Sequence, residues 1–243
     1  MAEQTRMDAK VAGDGALSGG TYGNITVNGA GSINGDIDCL TFKINGASTN
    51  TGRVVAQTMV VNGSATINGE LQAGLLKVNG DTSVRDGAGV GQLIVNGNCQ
   101  VGGSVASHQV DLKGYLKVGG DLETDAFSGD GAFQIGGLLN AGLIDLRLHG
   151  PASAREIGGE RVSVRLGSGW GSLFTFFADK RLITDSVEAD QVSLEYTTAK
   201  VVRGKDVTIG QGCSIGLVEY AETYTPLAGA SVGEARRVEN AAV

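Results

Sequence analysis

The stretch Phe42-Lys43-Ile44-Asn45-Gly46 returns as Met59-Val60-Val61-Asn62-Gly63, as Leu76-Lys77-Val78-Asn79-Gly80 and as Leu93-Ile94-Val95-Asn96-Gly97, each copy 17 residues after the last. A repeat of that length sets the architecture before any other signal is weighed. Extended both ways, its first column reads Ile25, Phe42, Met59, Leu76, Leu93, Val110, Phe127 and Ile144. Two positions on, Val27, Ile44, Val61, Val78, Val95 and Leu112 are followed by Gly129 and Leu146. A third column runs Ile33, Asn50, Ile67, Val84, Val101, Val118, Ile135, and a fourth Ile37, Val54, Leu71, Ala88, Val105, Leu122, Leu139. Apolar residues alternate within each copy, so each segment is a short strand with one buried side. Three groups of columns predict three faces.

Seven Asn-Gly pairs follow the strands, at Asn28, Asn34, Asn45, Asn62, Asn68, Asn79 and Asn96. Between apolar runs this dipeptide normally marks a two-residue hairpin, which would make the chain an antiparallel meander. The shared phase of Asn28, Asn45, Asn62, Asn79 and Asn96 argues instead for coils that pair in parallel, like residue on like. Stacked amides can then hydrogen-bond up the corner. Gly and Asn suit such corners because both tolerate φ > 0. Gly35, Gly52, Gly69, Gly103, Gly120 and Gly137 mark the next corner, and Asp86 followed by Gly87 shifts it locally. The expected fold is all-β, a parallel β-helix of about 17 residues per coil, right-handed by the crossover rule. Each coil advances one strand spacing, roughly 4.8 Å, or about 35 Å for seven coils. One coil cannot fold alone, and each end is a strand edge that needs a cap or a partner.

Composition narrows the function classes. Although 40 of 243 residues are glycine, only two are proline and 41% are hydrophobic, so the apolar positions form a core rather than a flexible low-complexity chain. A net charge of −7, with no basic stripe and few aromatics, excludes nucleic acid as a partner. Cys39, Cys99 and Cys213 form no CxxC pair and read as small core residues in a reduced, cytosolic setting. The polar start, residues 1–10, has no apolar targeting segment, and no apolar run is long enough to span a bilayer. A cytoplasmic location follows as an expectation.

Catalytic chemistry is thinly represented. His108 and His149 lie outside metal-ligand spacing of any Cys, Asp or Glu cluster, so no metal and no cofactor are expected. Val207 to Gly216 resembles one turn of the hexad repeat of left-handed β-helix acyltransferases, and occurs once. Asp36, Asp38, Asp121, Glu123 and Asp125 could form the acidic face of a carbohydrate-active β-helix, though a solvated outer face accounts for them equally.

The columns fail after Ile144, where position 156 is Glu and 161 is Arg. The expected organisation is a polar tail over 1–10, a main β-helix over 11–166, an aromatic break over 167–184, a second short β-solenoid over 185–220 and a loosely ordered tail over 221–243. The break carries Trp170, Leu173, Phe174, Phe176 and Phe177. It is read either as a cap on the last coil or as a contact surface.

The Ile/Val-Asn-Gly corners, the Val101-Gly102-Gly103 and Val118-Gly119-Gly120 corners and the 17-residue coil resemble those of bactofilins, polymer-forming bacterial cytoskeletal proteins, over roughly residues 20–160. The stretches from Glu188 to Gly204 and from Ile215 to Tyr220 are similar to longer bactofilin-like proteins of Bacillus-type bacteria, a subgroup associated with flagellar assembly and motility. The resemblance implies a right-handed β-helix that assembles end to end without nucleotide and scaffolds other proteins, often at the inner face of the membrane. The leading expectation is a non-enzymatic, self-associating scaffold with unidentified client proteins. Its candidate contact or capping residues are Tyr22 and Ile25 in the first coil and Trp170, Leu173, Phe174, Phe176 and Phe177 in the break. The alternatives are a capped, non-polymerising adaptor and a β-helix enzyme.

Overall fold

The computed structural model describes residues 6–167 and 180–239. Among these every regular element is a strand, and the strands stack in parallel as coils. The chain forms two compact units, one running to Val110 and taking in Gly114–Gly119, the other made of Asp111–Lys113 and everything from Gly120 onward.

Strands of the first unit are β1 (Met7–Val11), β2 (Asp14–Val27), β3 (Ala30–Ile44), β4 (Ala47–Asn50), β5 (Val54–Val61), β6 (Ser64–Ile67), β7 (Leu71–Val78), β8 (Asp81–Val84), β9 (Ala88–Val95), β10 (Asn98–Val101), β11 (Val105–Leu112, its last two residues in the second unit) and β12 (Tyr115–Val118). The registers reproduce the columns of the sequence. Ile37, Val54, Leu71 and Ala88 stack in turn, as do Phe42, Met59, Leu76 and Leu93. One coil shows the three faces: Val54 and Ala56, then Met59 and Val61, then Ala65 and Ile67 point inward and are buried. A loose polar tail over 1–10 is corrected at Met7–Val11, which pairs with β2 as a strand.

The Asn-Gly corners behave as a ladder. The Asn45 amide donates to Asn28 Oδ1 at 2.7 Å, and Asn62, Asn79 and Asn96 each donate to the Asn one coil below at 2.8 Å. The glycines serve a different purpose from the expected one. Among the positive-φ glycines only Gly35, at +105°, belongs to an Asn-Gly pair. Gly46, Gly63, Gly80 and Gly97 are required by close approach, because a Cβ there would be driven into the carbonyl oxygen of the glycine one coil below.

In the second unit the strands are β13 (Leu122–Gly129), β14 (Ala132–Leu148), β15 (Ala152–Leu166), β16 (Leu182–Leu194), β17 (Thr197–Ile209), β18 (Ser214–Pro226) and β19 (Ser231–Arg237). Here the coil length changes while the stacking continues. Ile144 pairs with Val162 and Leu139 with Ile157, an 18-residue step that absorbs the apparent failure of the columns. β15 then pairs directly with β16, Val162 on Val192, and β16 with β17, Val192 on Val207. A separate second module over 185–220 is therefore corrected: those strands continue the stack of β15, and the aromatic break is an insertion between two paired strands. The expected pairing of Val192 with Ile209 is displaced by two residues for the same reason, the coil here being 15 residues long. The tail over 221–243 is also corrected, since β18 runs to Pro226 and β19 pairs with it.

Candidate functional site

The two outermost strands are where the stacking stops. Among the described residues β1 pairs only with β2, and β19 only with β18. At the first end Met7 is 76% exposed and Ala9 sits over Ile25 at the mouth of an interior column. The end coil is pinned by polar contacts: Asp8 Oδ1 accepts from the Asn24 backbone N–H at 2.7 Å, and Arg6 bridges to Asp38 at 2.8 Å. Tyr22 is half-buried and its hydroxyl donates to Ser18 O at 2.8 Å. Ile25 is corrected as a contact residue: it is fully buried between Ala9 and Phe42, and so belongs to the core. Trp170, Leu173, Phe174, Phe176 and Phe177 lie outside the described residues. The coil edge that their segment was expected to cap, that of β15, is already occupied by β16.

The opposite end is charged. β19 carries Glu234, Arg236 and Arg237 on an exposed strand. Beneath it runs a ladder in which Glu188, Arg203, Glu219 and Arg236 stack in register. Arg203 Nε donates to Glu219 Oε2 at 2.6 Å and Arg236 Nε to Glu219 Oε1 at 3.0 Å. The hydrogen bonds from Arg236 and Arg203 hold the Glu219 carboxyl below the ordinary glutamate range. Across the β16–β17 junction, Asp185 meets Lys200 at 2.7 Å, Glu188 meets Arg203 at 3.7 Å and Asp190 meets Lys205 at 2.8 Å. Each base follows its acid by 15 residues, so a search for acid–base columns would have found the shortened coil that the apolar columns hid.

Residues considered for chemistry take structural places. Asp36 Oδ1 accepts from the Arg53 N–H at 2.7 Å, and Asp121 Oδ1 from the Leu138 N–H at 2.8 Å. Both carboxylates tie a corner to the next coil, a role signalled by their Gly-Asp setting at identical phase. His149 Nε2 lies 2.8 Å from Asp130 Oδ1. A depression of about 140 Å³ beside them, lined by Asp111, Lys113, Asp130, Asp145 and Arg147, is smaller than the clefts that bury small molecules. All three thiols are buried; burial pushes Cys39 up to about 11, Cys99 up to about 12, and Cys213 upward as well. They pack as core residues and are protonated at neutral pH. No helix among the described residues is long and apolar enough to cross a membrane.

Comparison with known proteins gives partial likenesses. No family model matches the chain, and no solved structure matches it. It is 48% identical over 86 residues to the Bacillus subtilis uncharacterized protein YhbF, covering 34% of each chain. It is 38% identical over 96 residues to uncharacterized protein YhbE of the same organism, covering 39% of this chain and 40% of that one. The chain thus spans about a third to two-fifths of the curated relatives it matches.

Proposed function

We propose that this protein is a non-enzymatic scaffold that associates with further copies of itself through the ends of its coil stacks. The observation that carries the reading is the pair of terminal strands, β1 and β19, each hydrogen-bonded on one side only among the described residues. An unpaired strand edge is a template for another strand, and here it needs neither nucleotide nor metal to act. Envelope or flagellar assembly, implied by the bactofilin resemblance, is the kind of process such a scaffold would serve. Negative-stain microscopy of the purified chain, without nucleotide and across salt concentrations, tests the reading. Elongated assemblies support it, and discrete single particles under all conditions sink it.

A second reading, a particle that stops at a defined size, is favoured by the charges on β19. Glu234, Arg236 and Arg237 on an exposed edge are the residues that proteins use to blunt strand addition. Association through the β1 end alone would give dimers, and sedimentation separates that outcome from open polymers.

A further inference from the structure

The Asn-Gly corners carry a chemistry that a scaffold does not use. When the glycine backbone nitrogen of such a pair loses its proton, it can attack the preceding Asn Cγ. The Cγ–Nδ2 bond breaks, ammonia leaves, and a succinimide remains. Water then opens the ring to aspartate or isoaspartate, one water consumed for one ammonia released and no electrons exchanged. Asparagine is thermolabile for this reason, and a following glycine places no side chain in the way. The rate in a folded chain depends on whether the amide is free to turn and whether the glycine N–H is engaged elsewhere.

Four of the five stacked corners hold both groups. The Nδ2 groups of Asn45, Asn62, Asn79 and Asn96 each donate to the Asn one coil below. The N–H groups of Gly46, Gly63, Gly80 and Gly97 donate to Val27, Ile44, Val61 and Val78 carbonyls at 3.3, 3.4, 3.2 and 3.1 Å. Asn28 is different. Its Oδ1 accepts from Asn45, but the residue beneath it is Ala12, and among the described residues neither its Nδ2 nor the Gly29 N–H meets an acceptor. The local sequences Val27-Asn28-Gly29-Ala30 and Ile44-Asn45-Gly46-Ala47 are nearly the same, so the contrast comes from the missing rung. Asn34-Gly35 lies outside the ladder, and its glycine N–H is held by Thr51 Oγ1 at 2.9 Å.

We propose that Asn28-Gly29, the lowest rung of the amide ladder, is a site of succinimide-mediated deamidation, and that the same dipeptide at Asn45, Asn62, Asn79 and Asn96 is protected by the stack. Conversion places a new carboxylate at the corner beside β1, with an extra backbone methylene when isoaspartate forms. The new side-chain oxygen still accepts from Asn45, so the ladder above persists while the end coil changes in charge and path.

The test is incubation of the folded full chain in mildly alkaline buffer, followed by digestion and mass spectrometry of each Asn-Gly peptide. Asn28 is expected to convert about tenfold or more faster than Asn45, the effect of two lost hydrogen bonds on a rate. In denaturant the two rates should coincide. Ala12→Asn supplies a rung, because Gly13 already stacks beneath Gly29, and is expected to slow Asn28 to the rate of the inner rungs. Equal rates at Asn28 and Asn45 in the folded wild-type chain overturn the proposal. So does an unchanged Asn28 rate in an Ala12→Asn chain whose circular dichroism is native.

Discussion

Gly63 and Gly89 differ in what surrounds them rather than in backbone angle. A Cβ on Gly63 would strike Gly46 O and Asn45 O, whereas a Cβ on Gly89 would meet nothing within 4 Å. Gly63→Ala is expected to destabilise by about 2–4 kcal/mol, the range for a clash against backbone that cannot move. Gly89→Ala should be neutral or stabilise by about 0.4–1 kcal/mol, through the unfolded chain. Chemical denaturation of both variants checks the contrast; equal effects would remove close approach as the reason for the corner glycines. Asn50 makes the opposite point. It is 1% exposed in a column between Ile33 and Ile67, and its Nδ2 finds no partner. Asn50→Ile should raise unfolding free energy by about 1–3 kcal/mol by replacing an unsatisfied buried amide, and a lowered denaturation midpoint would count against it. The sequence displayed where these residues stand but not what presses on them. Gly129, alone in a column of Val, Ile and Leu, looks like a lost side chain; in the fold Leu146 Cδ2 and Phe127 Cε1 already fill its space.

At the scale of elements, the strands that follow the break are held by charge as well as by apolar contact. Glu219 is the centre of this arrangement, and its carboxyl is held low by Arg236 and Arg203. A depressed pKa in the folded state means that the contribution is present at neutral pH and is lost as acid protonates Glu219 below the ordinary glutamate range. Hydrogen exchange of β18 and β19 should therefore quicken as pH falls through that region, after correction for the intrinsic rate. Glu219→Gln should remove most of this pH dependence, and a variant that keeps it would show that another group is responsible. The coils from Ile25 to Ile144 were legible because 17-residue spacing repeats apolar types faithfully. Those beyond were not, since an 18-residue and then a 15-residue step broke the phase while strand alternation preserved inward-facing parity. Asp185, Glu188 and Asp190 against Lys200, Arg203 and Lys205 carried the missing register in charge, where a search for hydrophobic columns does not look.

For the whole molecule, an interior built by stacking leaves function to surfaces where stacking ends. The sequence indicated those ends in principle, but it misplaced one of them: β19 extends the second unit into what reads as a tail. It also named Ile25 as a contact because the first column begins there, when β1 already covers it. The exposed edge is β1 itself, with Met7 outward and Ala9 heading an interior column. The most direct test is sedimentation velocity over a wide protein concentration range, comparing the wild-type chain with a Met7→Lys/Ala9→Lys double variant that places charge on this edge. The account predicts concentration-dependent association of the wild type, and a variant that keeps native circular dichroism but sediments as a smaller species. A wild-type chain that stays monomeric at every concentration, or a variant that assembles as the wild type does, would contradict it.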